Sequence, residues 1–388
     1  MDGRILSRIG VEALKCGDAA GARAAFEALV DAGHADASVC LALMAACRAT
    51  GDQAASRRAL ERALAIEPQN VRALTLMADE LLREGDERAA AAYYLLAVKS
   101  APPREAMPEE LADEVARAES MCVRLAGAFE TVVRRHLRLA GSPDSFASDR
   151  FSQSLEILFG RKNRYSQAPR YYFLPGLPVI EFFDHAQFPW LSALEAATAA
   201  IRGEVLALLQ DGGAFRPYVE GYANRPHNPQ DGMLNNPDWS AFYLWKQGRV
   251  IEENAARCPQ TMRALRAVPL GVMPNRSPSV LFSVLRPGAH IPAHNGMVNT
   301  RLIGHLPLIV PPGCTFRVGS ESHQWEEGKA WLFDDTIEHE AWNRSDETRV
   351  ILLFEIWRPE LSDAERTQVC ALFQAIDERS GSRPSWEI

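Results

Sequence analysis

Apolar and polar positions repeat with a period of 34 residues through the first hundred residues of the chain. The dipeptide Gly-Asp marks each repeat, at residues 17, 51 and 85. Large apolar residues stand nine positions after each glycine, as Phe26, Leu60 and Tyr94. Eight positions before the same glycines stand Ile9, Leu43 and Met77, so the register of apolar residues holds on both sides of each turn. The pattern predicts pairs of short helices separated by Gly-Asp turns.

The length of this period is typical of tetratricopeptide repeats, in which each unit is a helix–turn–helix. Proline stops the second helix of a unit, and Pro68 and Pro102 stand 17 residues after the second and third glycines. His34 takes that place in the first unit, which is therefore the most degenerate. We predict two and a half to three repeats over residues 3–102. Such a module either packs passively on another domain or holds a peptide or protein on its concave surface.

The pattern changes to short β-like segments in the second half of the chain. Runs of strand length, rich in β-branched and aromatic residues, are separated by Gly/Pro/Asn turns. They cover residues 279–285, 301–310, 314–318, 330–333 and 350–357. Many short strands with such turns are typical of a jelly roll, also called a double-stranded β-helix. An Ala- and Leu-rich helix is predicted before them, at residues 195–209.

The chain is thus predicted to be an α+β multidomain protein in which helical repeats precede a cupin-like jelly-roll barrel. We divide it into repeats at residues 1–103, a helical linker at 104–164 and a barrel domain at 165–388. A hydrophobic content of 47% and a net charge of −8 are ordinary for a globular domain. Scattered Arg residues without a basic block argue against a nucleic-acid partner.

Targeting and redox features follow from the same reading of the sequence. The first residues contain no apolar signal segment, and no run of 18 apolar residues predicts a membrane span. Seven cysteines without CxxC spacing predict free thiols in a reducing compartment. We therefore expect a cytoplasmic protein that has no membrane partner.

His294 and His339 carry the candidate chemistry. Imidazole suits Fe(II), and non-haem oxygenases leave coordination positions open for a co-substrate and O2. Ten residues after the second histidine, Arg349 opens the apolar run of a predicted strand, where a guanidinium could pair with a carboxylate. Spacing alone favours a simpler interpretation, in which each histidine is a hydrogen-bonded core residue. The motifs around them reverse this preference.

Many ordered motifs between about residues 165 and 360 resemble the aspartyl/asparaginyl β-hydroxylase family. They occur at residues 173–178, 188–190, 238–240, 287–296, 299–306, 325–329, 333–335 and 339–342. The resemblance implies that His294 and His339 are catalytic and bind Fe(II). The carboxylate of the usual facial triad would stand at Gly296, where this family also has glycine and water takes the third ligand place. Asp334 and Asp335 are interpreted as a turn that supports the strand of His339.

The resemblance also assigns the co-substrate 2-oxoglutarate to three residues. Arg349 and Ser283 would hold its distal carboxylate, and His305 would contact the carboxylate next to iron. The vertebrate-type pattern has an Arg two positions before that histidine, whereas this chain has Ile303, so one cationic contact is missing.

Substrate contacts are carried over to Arg301 and Gln247. Arg301, Ile303 and His305 alternate along a predicted strand and so should share one face. Arg301 could equally form a salt bridge at the rim. The family's secretory members have two cysteines in the segment where this chain has only Cys258, so their substrate-loop disulfide is not expected here.

The sequence therefore predicts an Fe(II)/2-oxoglutarate-dependent dioxygenase that uses O2 to hydroxylate a C–H bond. The expected target is the β-carbon of Asp or Asn in a peptide or protein, held in place by the repeats. The same chemistry on a small molecule or lipid is one alternative. A non-catalytic repeat scaffold with a degenerate barrel is another, and Gly296 and Ile303 are the residues that favour it.

Overall fold

The computed structural model describes residues 3–141, 149–211, 213–219 and 234–380. The chain divides into two units, Met1–Phe159 and Gly160–Ile388. Helices make up the first unit and two antiparallel sheets with surrounding helices make up the second, which confirms the predicted fold class.

Six helices form the repeat region in three consecutive pairs. They are α1 (Gly3–Lys15), α2 (Ala19–Asp31), α3 (Ala37–Ala49), α4 (Gln53–Ile66), α5 (Val71–Arg83) and α6 (Glu87–Ser100). Two further helices follow in this unit, the long α7 (Glu109–Leu139) and the short α8 (Asp149–Leu158). Phe26, Leu60 and Tyr94 are buried in the core of the repeats, as the period predicts.

The Gly-Asp dipeptides are explained by the turns between paired helices. Each glycine has a positive φ, between +80° and +87°, which ends the first helix in a conformation that favours glycine. Each aspartate then caps the second helix, because its carboxylate accepts a hydrogen bond from the backbone N–H three residues later. The 34-residue period is therefore a repeated helix stop followed by a helix start.

The second unit is built on two sheets. The larger has the strand order β1-β2-β4-β11-β6-β9, with β3 paired to β2, and the smaller has the order β5-β10-β7-β8. The strands are β1 (Arg216–Pro217), β2 (Trp239–Lys246), β3 (Arg249–Val250), β4 (Val280–Leu285), β5 (His290–His294), β6 (Arg301–Ile309), β7 (Cys314–Val318), β8 (Glu321–Gln324), β9 (Trp331–Phe333), β10 (His339–Asn343) and β11 (Arg349–Trp357). All pairings between these strands are antiparallel, as in a jelly roll.

The two faces of the larger sheet have different surroundings. Along β11, Val350, Leu352 and Phe354 pack in one apolar core with Ile201 and Val205 of a helix that covers the sheet. The alternate residues of the same strand face the smaller sheet across a second apolar core. Because side chains alternate along a strand, every second residue of β4, β6 and β11 projects into the space between the sheets.

Five helices complete this unit: α9 (Leu191–Ala196), α10 (Thr198–Gln210), α11 (Glu252–Ala256), α12 (Pro259–Ala264) and α13 (Asp363–Ser380). The single helix predicted at residues 195–209 is wrong at its start, because the chain forms two helices that meet at Ala197. The hydroxyl of Thr198 donates to the Glu195 carbonyl at this junction, 2.6 Å away. None of the helices in the described ranges is long and apolar enough to span a membrane. All seven cysteines are free thiols, as predicted.

Candidate active site

His294 and His339 lie side by side in the smaller sheet. They are paired residues of β5 and β10, and the centroids of their rings are 4.1 Å apart. The pairing shifts register immediately after His339, at a bulge between the two strands. The fold therefore brings together two imidazoles that are 45 positions apart in the sequence.

Backbone carbonyl groups fix the orientation of both rings. Nδ1 of His294 is 2.7 Å from the Pro292 carbonyl oxygen, and Nδ1 of His339 is 3.0 Å from that of Ile337. A carbonyl can only accept, so each Nδ1 carries the proton and each Nε2 keeps its lone pair. Burial lowers the pKa of His294, and burial together with the neighbouring His294 lowers that of His339. Both imidazoles are thus neutral and oriented as metal ligands.

Gly296 faces the side chain of Asp335. A Cβ atom at position 296 would lie 2.1 Å from Oδ2 of Asp335, so no other residue fits without a shift. Burial raises the pKa of Asp335 to about 7. Within the described ranges, no carboxylate or thiol joins the two imidazoles closely enough to complete a three-residue metal site. The residues present fit a divalent metal held by two imidazoles, with its other positions open.

Arg349 is almost completely buried at the start of β11. Its nearest hydrogen-bond partners are weak: Nη1 is 3.4 Å from the carbonyl oxygen of Ser283 and 3.5 Å from its hydroxyl. Its guanidinium carbon lies 4.8 Å from the centroid of Trp325, and its Nε has no hydrogen-bond partner in the described part of the chain. Burial lowers the pKa of Arg349 to about 10. A buried cation without a carboxylate partner fits an anionic ligand.

His305 lies on the neighbouring strand β6 and faces the same space. Its ring centroid is 4.8 Å from that of Phe333, and its Nδ1 has no hydrogen-bond partner among the described residues. Burial lowers the pKa of His305 well below its usual value, and the charge of Arg349 lowers it further. Ile303 is buried on the same face of the strand, as the predicted alternation requires.

Arg301 is the third member of this face and is held by two carboxylates. It donates to Glu355 and also lies 3.3 Å from Oδ2 of Asp335. All three side chains are buried, so this is an interior salt-bridge network and not a pair at the rim. Gln247 is in the turn between β2 and β3, where it has a φ of +54°.

One cavity between the sheets brings together all seven residues that the sequence predicts for the site. It is lined by His294, His339, Arg349, Ser283, His305, Arg301 and Gln247, with an aromatic wall that includes Trp239 and Tyr218. The indole N–H of Trp239 donates to the Ser283 hydroxyl at 3.2 Å, and its ring stacks on Tyr218 at 4.1 Å. Trp239 stands in one of the quoted motifs, but its contact with Ser283 could not be derived from sequence spacing.

Comparison with known proteins gives a match over much of this unit. Residues 195–359 match the family model described as Aspartyl/Asparaginyl beta-hydroxylase. The chain is 34% identical over 184 residues to the human "Aspartyl/asparaginyl beta-hydroxylase", covering 47% of this chain and 23% of that one. It is 35% identical over 185 residues to the "Ornithine lipid ester-linked acyl 2-hydroxylase" of Rhizobium tropici, covering 47% of this chain and 62% of that one.

Among solved structures, the type III secretion translocator chaperone SycD of Yersinia enterocolitica is similar to part of the chain. The two are 21% identical, with a TM-score of 0.29, and the match covers 33% of this chain and 85% of the chaperone. The chain spans less than two thirds of the length of either hydroxylase described above.

Proposed function

Since residues 195–359 match the family model described as Aspartyl/Asparaginyl beta-hydroxylase, we propose that the chain is an Fe(II)/2-oxoglutarate-dependent dioxygenase that hydroxylates a C–H bond. One observation carries this proposal. Two neutral imidazoles with rings 4.1 Å apart share a cavity with the buried cation Arg349, which has no carboxylate partner among the described residues. A metal and an organic anion in one cavity are what this chemistry needs.

Each residue then has a separate role. Nε2 of His294 and of His339 would bind Fe(II), because their Nδ1 atoms are engaged by carbonyl groups. Bound iron with 2-oxoglutarate and O2 supplies the oxidising chemistry, with succinate and CO2 as by-products. Arg349 and the Ser283 hydroxyl would bind the distal carboxylate of 2-oxoglutarate, and His305 would hydrogen-bond its other end. The apolar walls keep water from the reacting centre.

The substrate we favour is the β-carbon of an Asp or Asn residue in a peptide or protein. Arg301 and Gln247 line the cavity and would contact this residue, and the helical repeats would bind another part of the polypeptide. The repeat unit is the feature that favours a polypeptide, because stacked helix pairs commonly present an extended binding surface.

A small molecule or lipid is a second candidate substrate, and one contact favours it. Arg301 is already paired with Glu355 and lies 3.3 Å from Asp335, so its charge is not simply available to a substrate carboxylate. The rhizobial relative is described as a lipid acyl hydroxylase, in keeping with this alternative.

Succinate formation from 2-oxoglutarate, measured with and without Fe(II), tests the proposal. Wild-type protein should form succinate only with Fe(II), and His294→Ala and His339→Ala should each abolish it. His323→Ala is a matched control, because His323 is an exposed histidine of β8 in the same unit. If wild-type protein neither binds 2-oxoglutarate nor turns it over with Fe(II), the non-catalytic scaffold is the better interpretation.

A further inference from the structure

A short segment before the family match contacts both loops that flank the paired histidines, the one after His294 and the one before His339. We call residues 167–174 the strap. Backbone N–H groups of the strap donate hydrogen bonds to carbonyl groups of both loops. Ala168 N–H donates to the Thr336 carbonyl at 2.8 Å, and Arg170 N–H donates to the Gly296 carbonyl at 2.9 Å. The strap therefore spans the loop after His294 and the loop before His339.

Gln167 makes the corresponding link with its side chain. Its Nε2 donates to Oδ2 of Asp334 at 2.7 Å, on the loop before His339. Its Oε1 accepts from Nδ2 of Asn299 at 3.0 Å, on the loop after His294. An amide is needed for this bridge, because one end must donate and the other must accept.

The two side-chain partners of Gln167, which also donates to the Pro178 carbonyl at 3.2 Å, are fully buried and make further hydrogen bonds. Asn299 also donates to the Leu174 carbonyl and accepts from the Leu174 N–H, each at 2.8 Å. Asp334 also accepts from the guanidinium of Arg358 at 2.6 Å and from the Thr336 N–H at 3.0 Å. Gln167 thus joins two buried side chains that are each held by further hydrogen bonds.

We propose that Gln167 is a positioning residue that sets the relative placement of His294 and His339 and thereby the affinity of the metal site. This inference rests on the proposed function, because it concerns the metal that these histidines would bind. Only two protein side chains would hold that metal. Its affinity should therefore depend strongly on their relative placement, and outer contacts of metal ligands commonly change affinity 10- to 100-fold.

Co(II) titration of the full-length protein, followed by visible absorption, is the first test. Gln167→Ala should weaken Co(II) binding about 10-fold. Gln167→Glu should weaken it more, because it places a second carboxylate against Asp334. Gln210→Ala is the matched control, since Gln210 is exposed at the end of α10 and should bind Co(II) like wild type. The KM for 2-oxoglutarate at saturating metal should stay within about 2-fold, because Arg349 is on neither loop.

A double-mutant comparison separates positioning from general damage. If Gln167 acts through Asn299, the double variant with Gln167→Ala and Asn299→Ala should bind Co(II) about as weakly as the worse single variant. Unchanged Co(II) affinity in folded Gln167→Ala and Gln167→Glu would overturn the inference. Wild-type protein that does not bind Co(II) would overturn the proposed metal site itself.

Hydrogen exchange on the wild-type protein gives a second test that needs no variant. If metal binding at His294 and His339 stabilises the contacts between the strap and the two flanking loops, Co(II) should slow hydrogen exchange of the Ala168 and Arg170 amides, which donate to those loops. The 2-oxoglutarate anion without metal should not. Strap amides that exchange equally fast with and without Co(II), in protein that binds Co(II), would contradict the proposed coupling.

Discussion

The carboxylate of Asp335 fills the space into which a side chain at Gly296 would extend. A Cβ atom at residue 296 would lie 2.1 Å from Oδ2 and 2.2 Å from Cγ of Asp335. Packing thus requires glycine at this position. The backbone N–H of Gly296 also donates to the Asp335 carbonyl, which keeps the two residues close together. The loss of the usual triad carboxylate is part of the architecture of this site and gives no support to a degenerate barrel.

Restoring the carboxylate with Gly296→Asp should therefore damage the site. We expect a free energy of unfolding lower by about 1–3 kcal/mol from overpacking, and weaker Co(II) binding. Chemical denaturation and Co(II) titration measure the two effects. Gly203→Asp is the control, because nothing lies within 4 Å of a Cβ atom there. Tighter Co(II) binding by Gly296→Asp would show that the space is not closed.

Arg349→Met tests two effects of Arg349: its contribution to 2-oxoglutarate binding, and the destabilisation that its buried charge causes in the ligand-free protein. It should weaken 2-oxoglutarate binding by about 2–4 kcal/mol, as expected for loss of one partner of a buried charge pair. The ligand-free protein should become no less stable, because a desolvated cation without a carboxylate is removed. Calorimetric titration and thermal unfolding check both. Arg344→Met, at an exposed arginine nearby, should change neither.

Ile303→Arg tests the missing cationic contact. Ile303 is buried on the cavity face of β6, paired across the sheet with Glu355. If the site only lacks a contact, the new guanidinium should tighten 2-oxoglutarate binding. Weaker binding in a folded variant, measured by calorimetric titration, would show that other side chains already occupy the space.

Acid should destabilise the metal-free protein. The folded state lowers the pKa of His294, His305 and His339 below the usual 6.5, mainly by burial. Below that pH the unfolded chain binds more protons than the folded one, so stability is present above pH 6.5 and falls as pH falls. The loss is at most about 1.4 kcal/mol per pH unit for each imidazole.

Asp335 opposes this trend, because burial raises its pKa to about 7 and the folded state is favoured when it is protonated. One carboxyl group against three imidazoles leaves a net loss on acidification. Urea unfolding at several pH values between about 7.5 and 5.5 should show it. Asp335→Asn should make the loss steeper, and a protein that gains stability over this range would contradict the account.

Removal of the repeat unit tests its role in substrate binding. The cut belongs after Phe159 and not after residue 102, because Ala118 and Leu125 of α7 are buried in the core of the repeats. If the repeats hold a polypeptide, the truncated protein should show a higher KM for it. Turnover of 2-oxoglutarate without substrate should be nearly unchanged.

If the repeats instead shield an apolar surface, the truncated protein should aggregate or unfold at a lower temperature. Light scattering and thermal unfolding distinguish this outcome. A soluble, stable truncation with an unchanged KM on the true substrate would exclude both roles.

Sequence reasoning predicts β4, β6, β7, β9 and β11, and it misses β2, β5 and β10. β4, β6 and β11 are buried along nearly their whole length, so each is a continuous apolar run. β5 contains a proline and is partly exposed, and β10 alternates buried and half-buried residues. These two strands carry the histidines, and local motifs, not strand patterns, identify them.

The site itself is predictable only as far as motifs extend. The seven residues that the resemblance assigns all line one cavity. The contact of Asp335 with Gly296 and the bridge of Gln167 to Asn299 and Asp334 join positions between 39 and 167 residues apart. No local pattern encodes such contacts, and only the packed sheets and loops bring them together.

Because the buried charge of Arg349 has no carboxylate partner among the described residues, the stability of the folded protein should depend on the concentration of an anion that binds it. A buried guanidinium whose hydrogen bonds, among the described residues, are two weak contacts to Ser283 raises the free energy of the empty chain. An anion that binds only the folded state stabilises it by RT ln(1 + [L]/Kd), about 2.7 kcal/mol at 100 times Kd. The steady-state amount of this protein in a cell would then follow the supply of the anion that binds Arg349, because unfolded chains are the ones that proteases remove.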